Sequence, residues 1–153
     1  MFEDRTANYA DGVAHAAQQY NNQTDLSVTQ CPYNGGCGTV IFIEAYYGGE
    51  PGTFAGLSFN YSHSNPCHVF APPYNSTGYC NTSNHRVDFG YIYFNNYYGV
   101  VSPVRWSTKH EAGHSFGLNH LPDCSILSVM LSSCPQLPVK LKAHDKADVN
   151  VWY

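Results

Sequence analysis

The chain has 153 residues, of which 12% are charged and 15% aromatic, and its formal net charge is −4. That length suits one domain, 1–153, with its own core. A mildly negative balance without a basic run gives nucleic acid and anionic membranes no electrostatic footprint, and no apolar run reaches the length of a membrane span.

Ala10, Val13, Ala14, Ala17 and Tyr20 recur at helical spacing and predict a first helix over about 5–20, capped by Asp4 or Thr6. A short strand is expected at 26–29 and a turn at 31–37. Residues 38–47 form a nearly continuous apolar, β-branched run, which predicts a central strand buried on both faces. The stretch 48–86 holds much of the Gly, Pro, Asn and Ser and reads as long loops, with short strands near 55–61 and 68–70. Residues 86–94 alternate and predict the last strand before a helix. That helix is expected to start at Ser102-Pro103, serine capping and proline in the first turn, and to run to Phe116. The chain between 118 and 139 reads as irregular. A final helix is expected over about 140–153, with Ala143, Ala147 and Val151 on one face and Asp145 and Trp152 docking it. The fold class is therefore α/β (α+β).

The segment 110–120, His-Glu-Ala-Gly-His-Ser-Phe-Gly-Leu-Asn-His, sits at the end of the second helix. His110 and His114 are four residues apart, so they share a helix face and can meet on one ion. Gly117 can end the helix in a left-handed conformation. The chain then turns back and delivers His120 as third ligand. A fourth position left for water marks a catalytic zinc site rather than a structural one. Glu111, beside the first ligand, is placed to act on a water as general base and then acid. The short pattern His-Glu-x-x-His arises by accident on many helices; the added Gly117 and His120 make the match specific.

Six cysteines argue for an oxidising compartment, and fifteen pairings are open. The simplest are the sequence-local ones, Cys31–Cys37, Cys67–Cys80 and Cys124–Cys134, each closing a short loop. Thirteen tyrosines, many asparagines and few lysines also suit a secreted protein. The opening Met-Phe-Glu-Asp is no signal peptide, so a signal and any propeptide would lie upstream of this sequence. Sequons stand at Asn22, Asn60, Asn75 and Asn81. The acids are scattered, which leaves a calcium site without support. His63, His68 and His85 read as loop histidines, and His15 and His144 as exposed helix positions.

The 110–120 segment resembles the zinc signature of the metzincin clan of metalloendopeptidases, most closely its matrixin-like and small bacterial members. The specific likeness covers about residues 102–130. It implies a twisted mixed sheet, with an N-terminal helix, an active-site helix and a C-terminal helix. A cleft would separate N-terminal (about 1–117) and C-terminal (about 118–153) subdomains. It also implies a methionine turn beneath the metal, for which Met130 is the candidate, and one zinc held by His110, His114 and His120. Leu131, Ser132 and Ser133 would then line the substrate pocket. No tyrosine stands two residues after Met130, so no switching tyrosine ligand is carried over. The expected activity is that of a secreted, monomeric zinc endopeptidase acting on protein or peptide. The rivals are a zinc hydrolase of cell-wall peptides or other amides, and a non-catalytic domain binding through its Tyr/Asn-rich surface.

Overall fold

The computed structural model describes residues 1–32, 35–36, 38–45, 56–61, 89–118, 120–121, 123–131, 138 and 140–152. Their elements run in the order β1 (Phe2–Arg5), α1 (Ala10–Gln23), β2 (Gln30–Cys31), β3 (Val40–Ala45), β4 (Gly56–Tyr61) and β5 (Phe89–Asn95). A 3-10 turn (Asn96–Tyr98), α2 (Val104–Ser115) and α3 (Ala143–Trp152) follow. The sheet has the order β2-β1-β3-β5-β4. β1 pairs in parallel with β2 and β3, and β3 with β5; β4 runs antiparallel on the far side of β5. The class is the mixed α/β one expected from the pattern.

β3 is central, as its apolar run predicts. Alternation along the strands divides the two faces. Phe42, Ile92 and Phe94 are fully buried on the side that receives the helices. Phe2 meets Phe42 edge-on at 5.0 Å between ring centroids, and Tyr9 stacks on Phe94 at 4.0 Å. Tyr9, Val13, Ala16, Ala17 and Tyr20 give α1 its buried stripe against this core.

Several boundaries differ from expectation for identifiable reasons. Residues 2–5 join the sheet rather than opening the helix, because Phe2–Arg5 pairs residue by residue with Val40–Ile43. Asp4 accepts from the Thr6 backbone and hydroxyl, and Thr6 Oγ1 accepts from Tyr9 N, so the chain turns before α1 instead of capping it at 4. The strand expected at 26–29 is displaced to Gln30–Cys31, although Thr29 O still accepts from Phe2 N. Pro103, not Ser102, stands at the N-cap of α2, with no side-chain cap bond.

α3 docks through Asp145, as expected, while the face that carries its alanines is exposed. Ala143 and Ala147 face solvent and Val151 is 71% exposed, whereas Asp145 and Val149 are buried. A carboxylate fully supplied with donors occupies the inner position, so apolar periodicity misleads there. The expected strand near 68–70 lies outside the described residues.

Candidate metal centre

α2 carries two of the three imidazoles and its C-terminal cap delivers the third. Phe116 closes the helix, stacks against Phe2 at 5.8 Å and meets Tyr20 edge-on at 4.7 Å between centroids. Gly117 then takes φ +86, its N donating to His114 O at 3.0 Å, while Leu118 N reaches Gly113 O at 3.0 Å. These two bonds form the Schellman pattern, and only glycine enters that left-handed position without strain. The chain therefore turns back sharply enough to bring His120 to the helix face that bears His110 and His114.

The three rings converge. His120 Nε2 lies 3.0 Å from His110 Nε2 and 3.1 Å from His114 Nε2. His110 is buried, His114 half-buried and His120 exposed, so the cluster opens to solvent at its third member. His110 Nδ1 donates to the Val129 carbonyl and His114 Nδ1 to the Leu118 carbonyl, both at 2.8 Å. With Nδ1 carrying the hydrogen, each neutral ring offers its Nε2 lone pair to the centre. His120 Nε2 can supply a proton to one of these lone pairs but not to both. Tetrahedral nitrogen ligands at 2.0–2.1 Å from an ion stand about 3.3–3.4 Å apart, close to the spacing seen. The donor set thus fits a metal ion, and its backbone acceptors are the outer contacts that orient metal-binding histidines.

Burial reinforces this protonation state. Loss of solvation lowers the His110 pKa to about 4, with His120 adding repulsion against the favourable Val129 bond. Desolvation, then the two neighbouring rings, lowers His114 to about 3. Glu111 stands between His110 and His114 in sequence and is also buried; desolvation raises its pKa to about 8.

Met130, which follows Val129, is 1% exposed and lies against α2 at Gly113. A Cβ on Gly113 would meet its Sδ at 2.5 Å and Tyr20 Oη at 3.1 Å, so the missing side chain is what lets this sulfur lie against the helix. Met130 O accepts from Leu121 N at 3.0 Å, and Leu121 and Leu131 form a parallel bridge that folds the chain back under α2. Leu131 is buried at 1% exposure; Ser132 and Ser133 lie outside the described residues. Cys31 and Cys124 each take part in a disulfide, and the other four cysteines, Cys37, Cys67, Cys80 and Cys134, lie outside the described residues. His63, His68 and His85 also lie outside them.

Four contributors have no signature in the sequence. The Val129 and Leu118 carbonyls are backbone groups. Trp106, one turn before His110, tilts over that ring at 4.8 Å and donates Nε1 to the same Val129 carbonyl at 3.1 Å. Gly113 is significant only through what lies beneath it. His15, read as exposed, is instead half-buried, with Nδ1 2.9 Å from Lys109 Nζ. Lys109 is fully buried, and desolvation followed by Arg105 repulsion lowers its pKa to about 8. His144, half-exposed, pairs with Asp148 at 3.1 Å.

No family model matches the chain, and no characterised protein matches it significantly.

Proposed function

We propose that this chain is a secreted zinc endopeptidase of the metzincin type, with His110, His114 and His120 holding the ion and Glu111 as general base and acid. The observation that carries the reading is the convergence of three neutral Nε2 atoms on one point open to solvent, with a buried carboxylate on the same helix. A structural site would close a fourth protein ligand over the ion, whereas the described residues bring together three. Disulfide-bonded Cys31 and Cys124 support an oxidising destination. Among the described residues no helix is long and apolar enough to cross a membrane.

When bound, zinc would supply Lewis acidity, bringing a water's pKa towards ~7 and polarising a peptide carbonyl. The protein's own groups divide the remaining work. His110 and His114 stay neutral because burial disfavours their charged forms, so their lone pairs remain available at neutral pH. Glu111 sits where burial favours its protonated form, and a dication nearby would draw it back to the carboxylate that a base requires. As a carboxylate it takes a proton from the attacking water; as an acid it returns that proton to the leaving amine. Such transfer contributes about 10²–10⁴-fold.

The test combines metal content with hydrolysis. Purified protein should carry one zinc, lose it in His114→Ala, and clear casein or gelatin until a chelator is added. Glu111→Gln should keep the zinc and lose at least about 100-fold in turnover. Zinc content equal in parent and His114→Ala would overturn the ligand assignment. Glu111→Gln turnover within about tenfold of the parent would overturn the assignment of Glu111.

A further inference from the structure

His110 and His114 both donate Nδ1 to a carbonyl, but the two acceptors are held differently. The Leu118 carbonyl belongs to the helix cap, fixed by the bonds that end α2. The Val129 carbonyl belongs to a segment without regular structure, nineteen residues along the chain from His110. Something must aim it.

The bonds around Val129 lead to one side chain. Val129 N donates to Asp145 Oδ2 at 3.1 Å, which holds the peptide unit before Val129. Ser128 Oγ donates to Asp145 Oδ1 and accepts from Met130 N at 2.9 Å, which holds the peptide unit after it. Lys142 N supplies a further bond to Oδ2 at 2.8 Å. Both peptide planes flanking the Val129 Cα are thus tied to one carboxylate, so the Val129 carbonyl has one direction available, towards His110 Nδ1 and Trp106 Nε1. Asp145 is 1% exposed, and Ser128 and Val129 are fully buried. Burying a carboxylate is costly unless donors meet it, and here three do.

We infer that Asp145 is a positioning residue for the metal ligand His110, acting from α3 through Ser128 and the Val129 peptide units. This rests on the three imidazoles being a metal site and adds a remote residue to it. Asp145 acts as an acceptor and by geometry: its two oxygens fix the Val129 carbonyl, which fixes the His110 ring and the hydrogen on Nδ1. His114, anchored by the helix cap, is outside this chain of bonds.

The full-length protein with Asp145→Ala, Asp145→Asn and Ser128→Ala tests it. Zn²⁺ affinity is measured by competition with a chelator, the Co²⁺ adduct by its visible absorption, and the imidazole N–H signals of His110 and His114 by nitrogen NMR without metal. Asp145→Ala should weaken Zn²⁺ binding about 10–100-fold, the usual cost of losing an outer contact, and alter the Co²⁺ spectrum. It should move the His110 Nδ1–H signal and leave that of His114 in place, a selectivity that general loosening of the fold would not produce. An asparagine oxygen can still accept from Val129 N and Lys142 N while its amide faces Ser128 Oγ, so Asp145→Asn should hold Zn²⁺ within about threefold. Ser128→Ala should move the His110 signal alone, and it carries the test if Asp145→Ala does not fold. Parent affinity with an unmoved His110 signal in a folded Asp145→Ala, or in Ser128→Ala, overturns the inference, as does equal movement of both histidines. Parent protein that takes up neither Zn²⁺ nor Co²⁺ overturns the metal site itself, a different result from metal binding indifferent to residue 145.

Discussion

Glu111 and His110 are adjacent, and burial drives them in opposite directions. The Glu111 carboxyl in the fold holds its proton to about pH 8, against an ordinary value of 4.5. An unfolded chain releases that proton above about pH 4.5, so the folded state loses ground as pH rises from there to 8. Glutamine carries no such charge. Metal-free Glu111→Gln should therefore be more stable than the metal-free parent at pH 8, by a few kcal/mol, with the difference fading towards pH 4. Urea unfolding across that range in a chelator measures it; a gap that does not vary with pH would show the carboxyl ionising normally inside the fold. The carboxyl proposed as the general base would thus also be one that destabilises the metal-free fold, a common cost of buried functional groups. The histidines run the other way. His110 is depressed to about 4 and His114 to about 3, from 6.5 unfolded, so stability is lost as pH falls below about 6.5. The melting temperature of chelated protein should drop on acidification from 6.5 towards 4.

At the scale of the element, α2 makes two close approaches that need a missing side chain, one its own and one on α1. A Cβ on Gly113 would meet buried Met130 Sδ at 2.5 Å. A Cβ on Gly12 of α1 would meet Thr108 Oγ1 at 2.3 Å and the Val104 backbone oxygen at 3.0 Å. Overfilling such contacts costs about 1–3 kcal/mol, against about 1 kcal/mol gained by replacing helix glycine with alanine. Both Gly113→Ala and Gly12→Ala should lower the melting temperature. They should part company on the metal. Gly113 lies between the two helix ligands and over Met130, so its alanine variant should also weaken Zn²⁺ binding. Gly12 touches α2 near its start, away from the ligands, and its variant should bind Zn²⁺ as the parent does. Paired thermal melts and chelator competition make the comparison, and equal Zn²⁺ affinity in both variants would show that the Met130 contact does not reach the ligands.

For the whole molecule, a metal on the three histidines would fasten together parts that share little regular structure. The sheet and α1 hold together through Phe2, Tyr9, Tyr20, Phe42 and Phe94. The described residues of 118–131 have only the isolated Leu121–Leu131 bridge. They are held to α2 by the His110 bond to Val129 and to α3 by Asp145. An ion on His120 adds a cross-link from α2 to this segment. A ligand bound only to the folded state stabilises by mass action, about 4 kcal/mol at a thousand times its Kd. Chelation should lower the melting temperature, and amide exchange should quicken in 118–131 while the core of the sheet keeps its protection. Uniform acceleration across the sheet would instead mean that the ion supports the entire fold.

The three-histidine cluster was legible in the sequence because helix geometry is local: a spacing of four from His110 to His114 places them one turn apart, and a glycine at 117 is what a reversed chain direction requires. The central strand was legible because burial on both faces leaves a long apolar run. β1 and the start of α1 were not, since pairing with Val40–Ile43 draws residues 2–5 into the sheet. The sequence marks Asp145 as a residue that docks the last helix, but that it binds Ser128, Val129 and Lys142 shows only in the fold. The same holds for Gly113, whose meaning is the sulfur of Met130 beneath it. By itself the sequence determined which side chains could meet a metal, because covalent spacing and helical period decide that. Only the tertiary structure decided how those rings are aimed and which of their nitrogens face one another, because a backbone carbonyl such as that of Val129, nineteen residues from His110 and sixteen from Asp145, carries no letter in the chain.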